Sequence, residues 1–119
     1  GAGQPPMAED PSIQRHLGEM AVALESARLI LHTGASKWKE IDLPTRALWG
    51  AKAKLVCNEA ALKVTSQVIQ VIGGRAALKS LPVERAYRDV RAASVMPPSI
   101  DALHLMAGKA QLGIPLGPG

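Results

Sequence analysis

Apolar positions along this chain recur with the spacing of helices. After Asp10-Pro11, the residues Ile13, Leu17, Met20, Leu24, Ala27 and Leu31 follow at steps of four, three, four, three and four. That is one seam down a single helix face. Asp10 can cap the first free amides, and Pro11 at the first helical position loses nothing by lacking an N–H. Gly34 is predicted to end this helix. A second helix is predicted from about Pro44, with Asp42 as cap, to Ile72. Within it Leu48, Leu55, Leu62 and Ile69 repeat every seven residues. Trp49, Ala53, Val56, Ala60 and Val64 form a second apolar stripe beside them. A helix apolar on more than one face is expected to be covered on more than one face. At 1.5 Å per residue it is roughly 43 Å long, and Gly73-Gly74 stops it.

Two shorter helices complete the pattern. One begins at Pro82, with Ser80 as a possible cap, carries Val83, Ala86, Tyr87 and Val90, and ends before Pro97, which biases Met96 away from helical geometry. The other begins at Pro98-Ser99, carries Ile100, Leu103, Met106 and Ala107, and ends by Gly113. No run alternates apolar and polar residues with β-branched enrichment, so no strand is predicted. The expected fold is all-α: an antiparallel helical bundle of two long and two shorter helices. Residues 1–10 read as a flexible lead whose Gly-Ala-Gly start suggests a cloning scar or processing. Residues 11–113 read as the helical domain and 114–119 as a flexible tail.

Composition narrows the function classes. The chain has 119 residues, 47% of them hydrophobic, 20% charged and 3% aromatic, with no Phe. It is too apolar for a disordered segment, and no stretch approaches the ~20 apolar residues of a membrane span. A formal net charge of +4 is mild, and Lys and Arg are interspersed with acids. Three aromatics make no stacking platform for single-stranded nucleic acid. No nucleic-acid or membrane partner is expected. Cys57 is the single cysteine, so no intrachain disulfide forms and a reducing, cytoplasmic setting is the expectation.

His16, His32 and His104 share no ligand spacing with one another or with Cys57, so no metal site is expected. Asp101 and His104, three apart, read as a solvated pair rather than a catalytic dyad. Gly73-Gly74 reads either as a helix stop or as a place where backbone approaches a ligand closely, because glycine has no Cβ to obstruct it. Gln70 lies one turn earlier. The run Glu84-Arg85-Ala86-Tyr87-Arg88-Asp89-Val90-Arg91 reads as a solvated face with ion pairs such as Arg85–Asp89, as a buried Arg–Asp node, or as an anion site.

Taken in order, Ile13-Gln14-Arg15-His16-Leu17-Gly18-Glu19-Met20-Ala21, Lys52-Ala53-Lys54, Gln70-Val71-Ile72-Gly73-Gly74 and Pro82-Val83-Glu84-Arg85-Ala86-Tyr87-Arg88-Asp89-Val90-Arg91 resemble the C-terminal helical domain of acyl-CoA dehydrogenases, over about residues 11 to 113. The resemblance implies a flavoprotein parent that oxidises the α,β-carbon bond of acyl-CoA thioesters and a bundle that forms the core of a homo-oligomer. It implies FAD contacts from a neighbouring subunit at Gln70, Gly73 and Gly74. It also implies a flavin-contacting hydroxyl at Ser99, a looser flavin contact at Asp101, and a mainly structural pair at Arg88 and Asp89.

Three departures qualify what the resemblance implies. The two upstream domains, the first helix of the bundle and the R-x-x-F-G segment usually found before Ile13 are expected to be missing. Pro97 stands where many relatives carry the glutamate that removes the α-proton, and proline cannot accept a proton. Arg75-Ala76-Ala77 replaces the aromatic that usually follows the Gly-Gly corner. No catalytic residue is therefore assigned, and the chain alone is expected to be inactive. Two other readings stand beside this one: a non-catalytic helical self-association module, and part of a flavin monooxygenase-like relative.

Overall fold

Caps and breakers set the helix boundaries. The computed structural model describes residues 7–73 and 82–115. A 3₁₀ turn at Met7–Glu9 leads into α1 (Pro11–Lys37), and a second at Trp38–Glu40 leads into α2 (Leu43–Ile72). Next come α3 (Pro82–Val95) and α4 (Ile100–Gln111), and the described residues include no strand. The all-α bundle of two long and two shorter helices expected from periodicity is the observed fold. Residues 1–6 of the expected lead and 116–119 of the expected tail, together with Gly74 and Ser80, lie outside the described residues.

Three helix starts are closed by a side chain, Asp10 and Asp42 as expected and Ser99 besides. Asp10 Oδ1 accepts from the Ser12 amide at 2.8 Å, Asp42 Oδ1 from the Thr45 amide at 2.9 Å, and Ser99 Oγ from the Ala102 amide at 3.1 Å. The Thr45 hydrogen bonds, from side chain and backbone, hold the Asp42 carboxyl below its ordinary value of 3.8. At its far end α2 stops at Gly73, whose φ of 74° and ψ of −145° lie in a region that side-chain-bearing residues avoid. The Gly73 amide still reaches back to the Ile69 carbonyl.

One expected boundary is corrected. Gly34 does not end α1, which continues to Lys37. It is buried inside the helix and faces Trp49 of α2, where a Cβ would meet Trp49 Cε3 at 3.3 Å. The glycine makes a notch for an indole. Lys37 and Lys52 flank that indole, their Nζ atoms 5.5 and 5.0 Å from its centroid, a distance at which cation–π attraction acts.

The helices α1 and α2 pack antiparallel, the start of α1 beside the end of α2. Both α3 and α4 lie on α2. Ala51 and Leu55 of α2 surround Leu103 of α4, with Ile100 and Met106 against them. Lys54 Nζ adds a hydrogen bond to the Pro98 carbonyl at 2.7 Å, tying the α3–α4 turn to α2. Elsewhere the core is thin: among the described residues Met20, Ala27 and Ala60 are the other buried apolar side chains, and α3 has none. A compact chain of about 100 residues has a radius of gyration of about 13 Å. This one has 18.3 Å and measures 65 × 26 × 23 Å.

The predicted seam of α1 splits for the same reason. Met20 and Ala27 face α2, while Leu17, Leu24 and Leu31, seven apart, stay 53%, 47% and 45% exposed. A shallow groove of about 400 Å³ runs beside this second row, lined by Leu24, Ala27, Leu31, Cys57, Ala60 and Ala61. None of the described helices is long and apolar enough to cross a membrane.

Candidate functional site

The start of α4 and the middle of α2 enclose a groove of about 380 Å³. Asn58, Glu59 and Leu62 line it from α2, Val95 from the end of α3, and Ser99 and Asp101 from the start of α4. Ser99 holds its place because its carbonyl accepts from the Leu103 amide at 3.0 Å while its hydroxyl oxygen caps Ala102. The hydroxyl hydrogen is still available to donate. The Ile100 and Asp101 amides sit at the helix start, where helix geometry supplies no internal partner. Asp101 is exposed beside them. The site therefore offers a hydroxyl, two amide donors and the carboxylates of Glu59 and Asp101 around an apolar floor.

A second groove of about 360 Å³ adjoins the first and shares Glu59 and Leu62 with it. It adds Lys63 and Ser66 from α2 and Tyr87 and Arg91 from α3. Two cations and two hydroxyls outweigh the Glu59 carboxylate there and make that neighbouring stretch hospitable to an anionic group.

The other sequence-derived positions lie elsewhere. Gln70 is exposed near the end of α2, eight residues beyond Leu62, or about 12 Å of helix rise. Gly73 is exposed too, and among the described residues nothing lies within 4 Å of where its Cβ would stand. Within one chain the structure brings Ser99 and Asp101 to a common groove and leaves Gln70 and Gly73 apart from it. Gly74 lies outside the described residues.

Of the three readings of the charged run on α3, the solvated face is the observed one. Arg85 Nε and Asp89 Oδ2 are 3.9 Å apart and both side chains are exposed. Arg88 is exposed and makes no ion pair among the described residues. Glu84 Oε2 is buried without a hydrogen-bond partner among the described residues. No group of three or more His, Cys, Asp or Glu that could hold a metal ion occurs among them. Pro97 is exposed in the α3–α4 turn, with no proton-accepting atom to offer.

Sequence reading missed Asn58 and Glu59. Their spacing of four and three from Leu62 puts them on one face of α2, but nothing local says that the α3–α4 turn returns to that face.

The comparisons with known proteins bear on this geometry. The family described as "Acyl-CoA dehydrogenase, C-terminal domain" matches residues 2–97. This chain belongs to the acyl-CoA dehydrogenase family. The domain is 42% identical over 86 residues to the mitochondrial short-chain specific acyl-CoA dehydrogenase of Bos taurus, covering 72% of this chain and 20% of that protein. It is 32% identical over 108 residues to the 3-sulfinopropanoyl-CoA desulfinase of Paraburkholderia xenovorans, covering 91% and 27%. It is 29% identical over 107 residues to the cyclohex-1-ene-1-carbonyl-CoA dehydrogenase of Geobacter metallireducens, covering 90% and 28%. The chain thus spans between a fifth and just over a quarter of the length of these relatives.

The flavin of such proteins can be tested against the residues present. Ser99, the free amides of α4 and the cationic groove beside them offer donors to ring carbonyls and phosphates. The Asp101 carboxylate accepts from a hydroxyl and disfavours a phosphate. At the other end, the exposed Gly73 and the exposed side-chain amide of Gln70 offer hydrogen-bonding capacity to a polar group. The residues fit parts of FAD in two places.

Proposed function

We propose that this chain is the FAD-contacting and oligomer-forming C-terminal domain of an acyl-CoA dehydrogenase-like flavoprotein acting on acyl-CoA thioesters. The observation that carries the reading is the exposure of Gln70 and Gly73 at the end of α2, in a chain that matches the family over residues 2–97. Because Gln70 and Gly73 stand apart from the Ser99–Asp101 groove, the two places suit contacts to two flavins, one of them held mainly by a neighbouring subunit. Bound FAD would supply the hydride acceptor. The residues here would bind and orient it: Ser99 as hydroxyl donor, the Ile100 and Asp101 amides as donors at a helix start, Asp101 as acceptor from a hydroxyl, and Gln70 through its amide.

The exposed row Leu17, Leu24 and Leu31, with the groove beside it, supports the assembly role. Three leucines on one line, together with an elongated shape and a thin core, are what a bundle leaves when a further helix belongs on it. A second copy or another part of the parent polypeptide would cover it. A reducing setting such as the cytoplasm suits the lone Cys57.

Proline at position 97 supports the expectation that this domain supplies no general base at the turn. It also favours a second reading, a flavin-bound parent with a reaction other than α,β-dehydrogenation, since one relative is named a desulfinase.

The test is an FAD titration followed by flavin fluorescence and melting temperature. Binding to the native state raises Tm with ligand concentration. The expected result is such a rise, weakened by Gln70→Ala without loss of Tm in the absence of flavin. No rise at saturating FAD would overturn the flavin reading.

A further inference from the structure

The α1–α2 interface is largely smooth. Met20 and Ala27 on one side and Ala60 on the other give little to fix the axial offset of the two helices, and a slip of one turn is 5.4 Å. At one end the Gly34 notch receives Trp49. At the other end a polar cluster crosses the interface. Gln67 Nε2 donates to Glu19 Oε2 at 2.6 Å, and Glu19 Oε1 accepts from Arg15 Nη1 at 2.8 Å. Gln67 Oε1 accepts from His16 Nδ1. Among the described residues, these two bonds of Gln67 are the side-chain hydrogen bonds that join α1 to α2.

Donor and acceptor chemistry fixes every orientation in the cluster. An ionised Glu19 can only accept, so the Gln67 NH₂ must face it. The Gln67 carbonyl is then turned to His16, whose Nδ1 must carry the hydrogen. A slip of α2 in either direction breaks both bonds and leaves half-buried polar groups unpaired, which is unfavourable. One polar residue in an otherwise apolar helix seam is an attested way to specify register. Gln70 and Gly73 follow Gln67 on the same helix, so the offset fixed at Gln67 carries to them.

We propose that Gln67 is a positioning residue: held between Glu19 and His16, it sets the register of α2 on α1 and so the place of the Gln70–Gly73 corner. What the corner touches rests on the flavin reading above; the register does not.

The test transposes the donor and acceptor. Gln67→Glu sets two carboxylates face to face, and neither can donate. Adding Glu19→Gln restores all three bonds with roles exchanged: the amide now on α1 accepts from Arg15 and donates to the carboxylate now on α2, which accepts from His16 Nδ1. Spin labels attached through Glu25→Cys and Lys63→Cys, in a Cys57→Ala background, report the α1–α2 distance distribution by pulsed electron resonance. Gln67→Glu is expected to broaden the distribution or displace it by several ångströms, about one helical turn, and the double exchange to restore the parent distribution. A parent-like distribution for Gln67→Glu, or no recovery in the double exchange, overturns the proposal. If Gln67→Glu fails to fold, Gln67→Leu keeps the volume without like charges. It should broaden the distribution, and a parent-like one overturns the proposal equally. Flavin affinity of the unlabelled variants is read separately. A displaced distribution with unchanged flavin affinity supports the register role and counts against the corner as a flavin contact.

Discussion

The helix α2 is held differently at its two ends. In its first half Ala51 and Leu55 pack around Leu103, and Lys54 ties down the α3–α4 turn through the Pro98 carbonyl. At its last turn the chain runs out to an exposed Gly73, with no other described residue within 4 Å of its Cβ position. The groove with Ser99 and Asp101 is therefore positioned by tertiary packing, whereas the corner owes its shape to the backbone freedom of one glycine and its place to the hydrogen bonds of Gln67. A site built on packing tolerates little change in volume. A site built on backbone conformation tolerates neighbours and objects to a Cβ.

Substitutions at the two ends should separate these cases. Leu103→Ala opens a cavity where the side chain is 5% exposed and is expected to cost about 2–4 kcal/mol, read as a fall in denaturant midpoint. A loss below about 1 kcal/mol would mean that the α2–α4 contact does little to hold the groove. Gly73→Ala meets no atom of the described residues within 4 Å, and its expected cost of about 1–2 kcal/mol comes from the positive φ. Equal stability in the two proteins would show that the positive φ is not maintained in solution. Ser99→Ala removes the α4 cap at about 1 kcal/mol, while Ser99→Asp should retain most of it. The contrast distinguishes capping from a hydroxyl needed for flavin, because aspartate can cap but cannot donate when ionised.

The smallest effect concerns Asp42, at the start of α2 and away from both sites. Its carboxyl is held below the ordinary value of 3.8 by the Thr45 hydrogen bonds. The stabilisation it brings is present above about pH 4 and is lost as pH falls through the lower folded value. Asp42→Asn, which caps without titrating, should flatten the acid side of the melting profile below pH 4. An unchanged profile would show that the bond to the Thr45 amide contributes nothing to stability.

Helix ends were legible wherever a local residue decides them. Asp10 and Asp42 cap because their short side chains reach amides two or three residues ahead, and Gly73 ends α2 because it can take a positive φ. Gly34 was misread by the same rule: its lack of a Cβ serves an indole on another helix, which no window around residue 34 contains. The groove was half legible, Ser99 and Asp101 through family resemblance, Asn58 and Glu59 not at all.

What the sequence determined by itself was the all-α architecture, its caps and stops, and membership of a family, because these rest on residue type at short range or on an ordered set of motifs. Tertiary structure decided which of two apolar rows on α1 is covered, that Gln67 meets Glu19 and His16 across 48 and 51 residues of chain, and that Gln70 and Gly73 are exposed. Those outcomes depend on the axial offset and rotation of one helix against another, which periodicity leaves free and side-chain packing and hydrogen bonding fix.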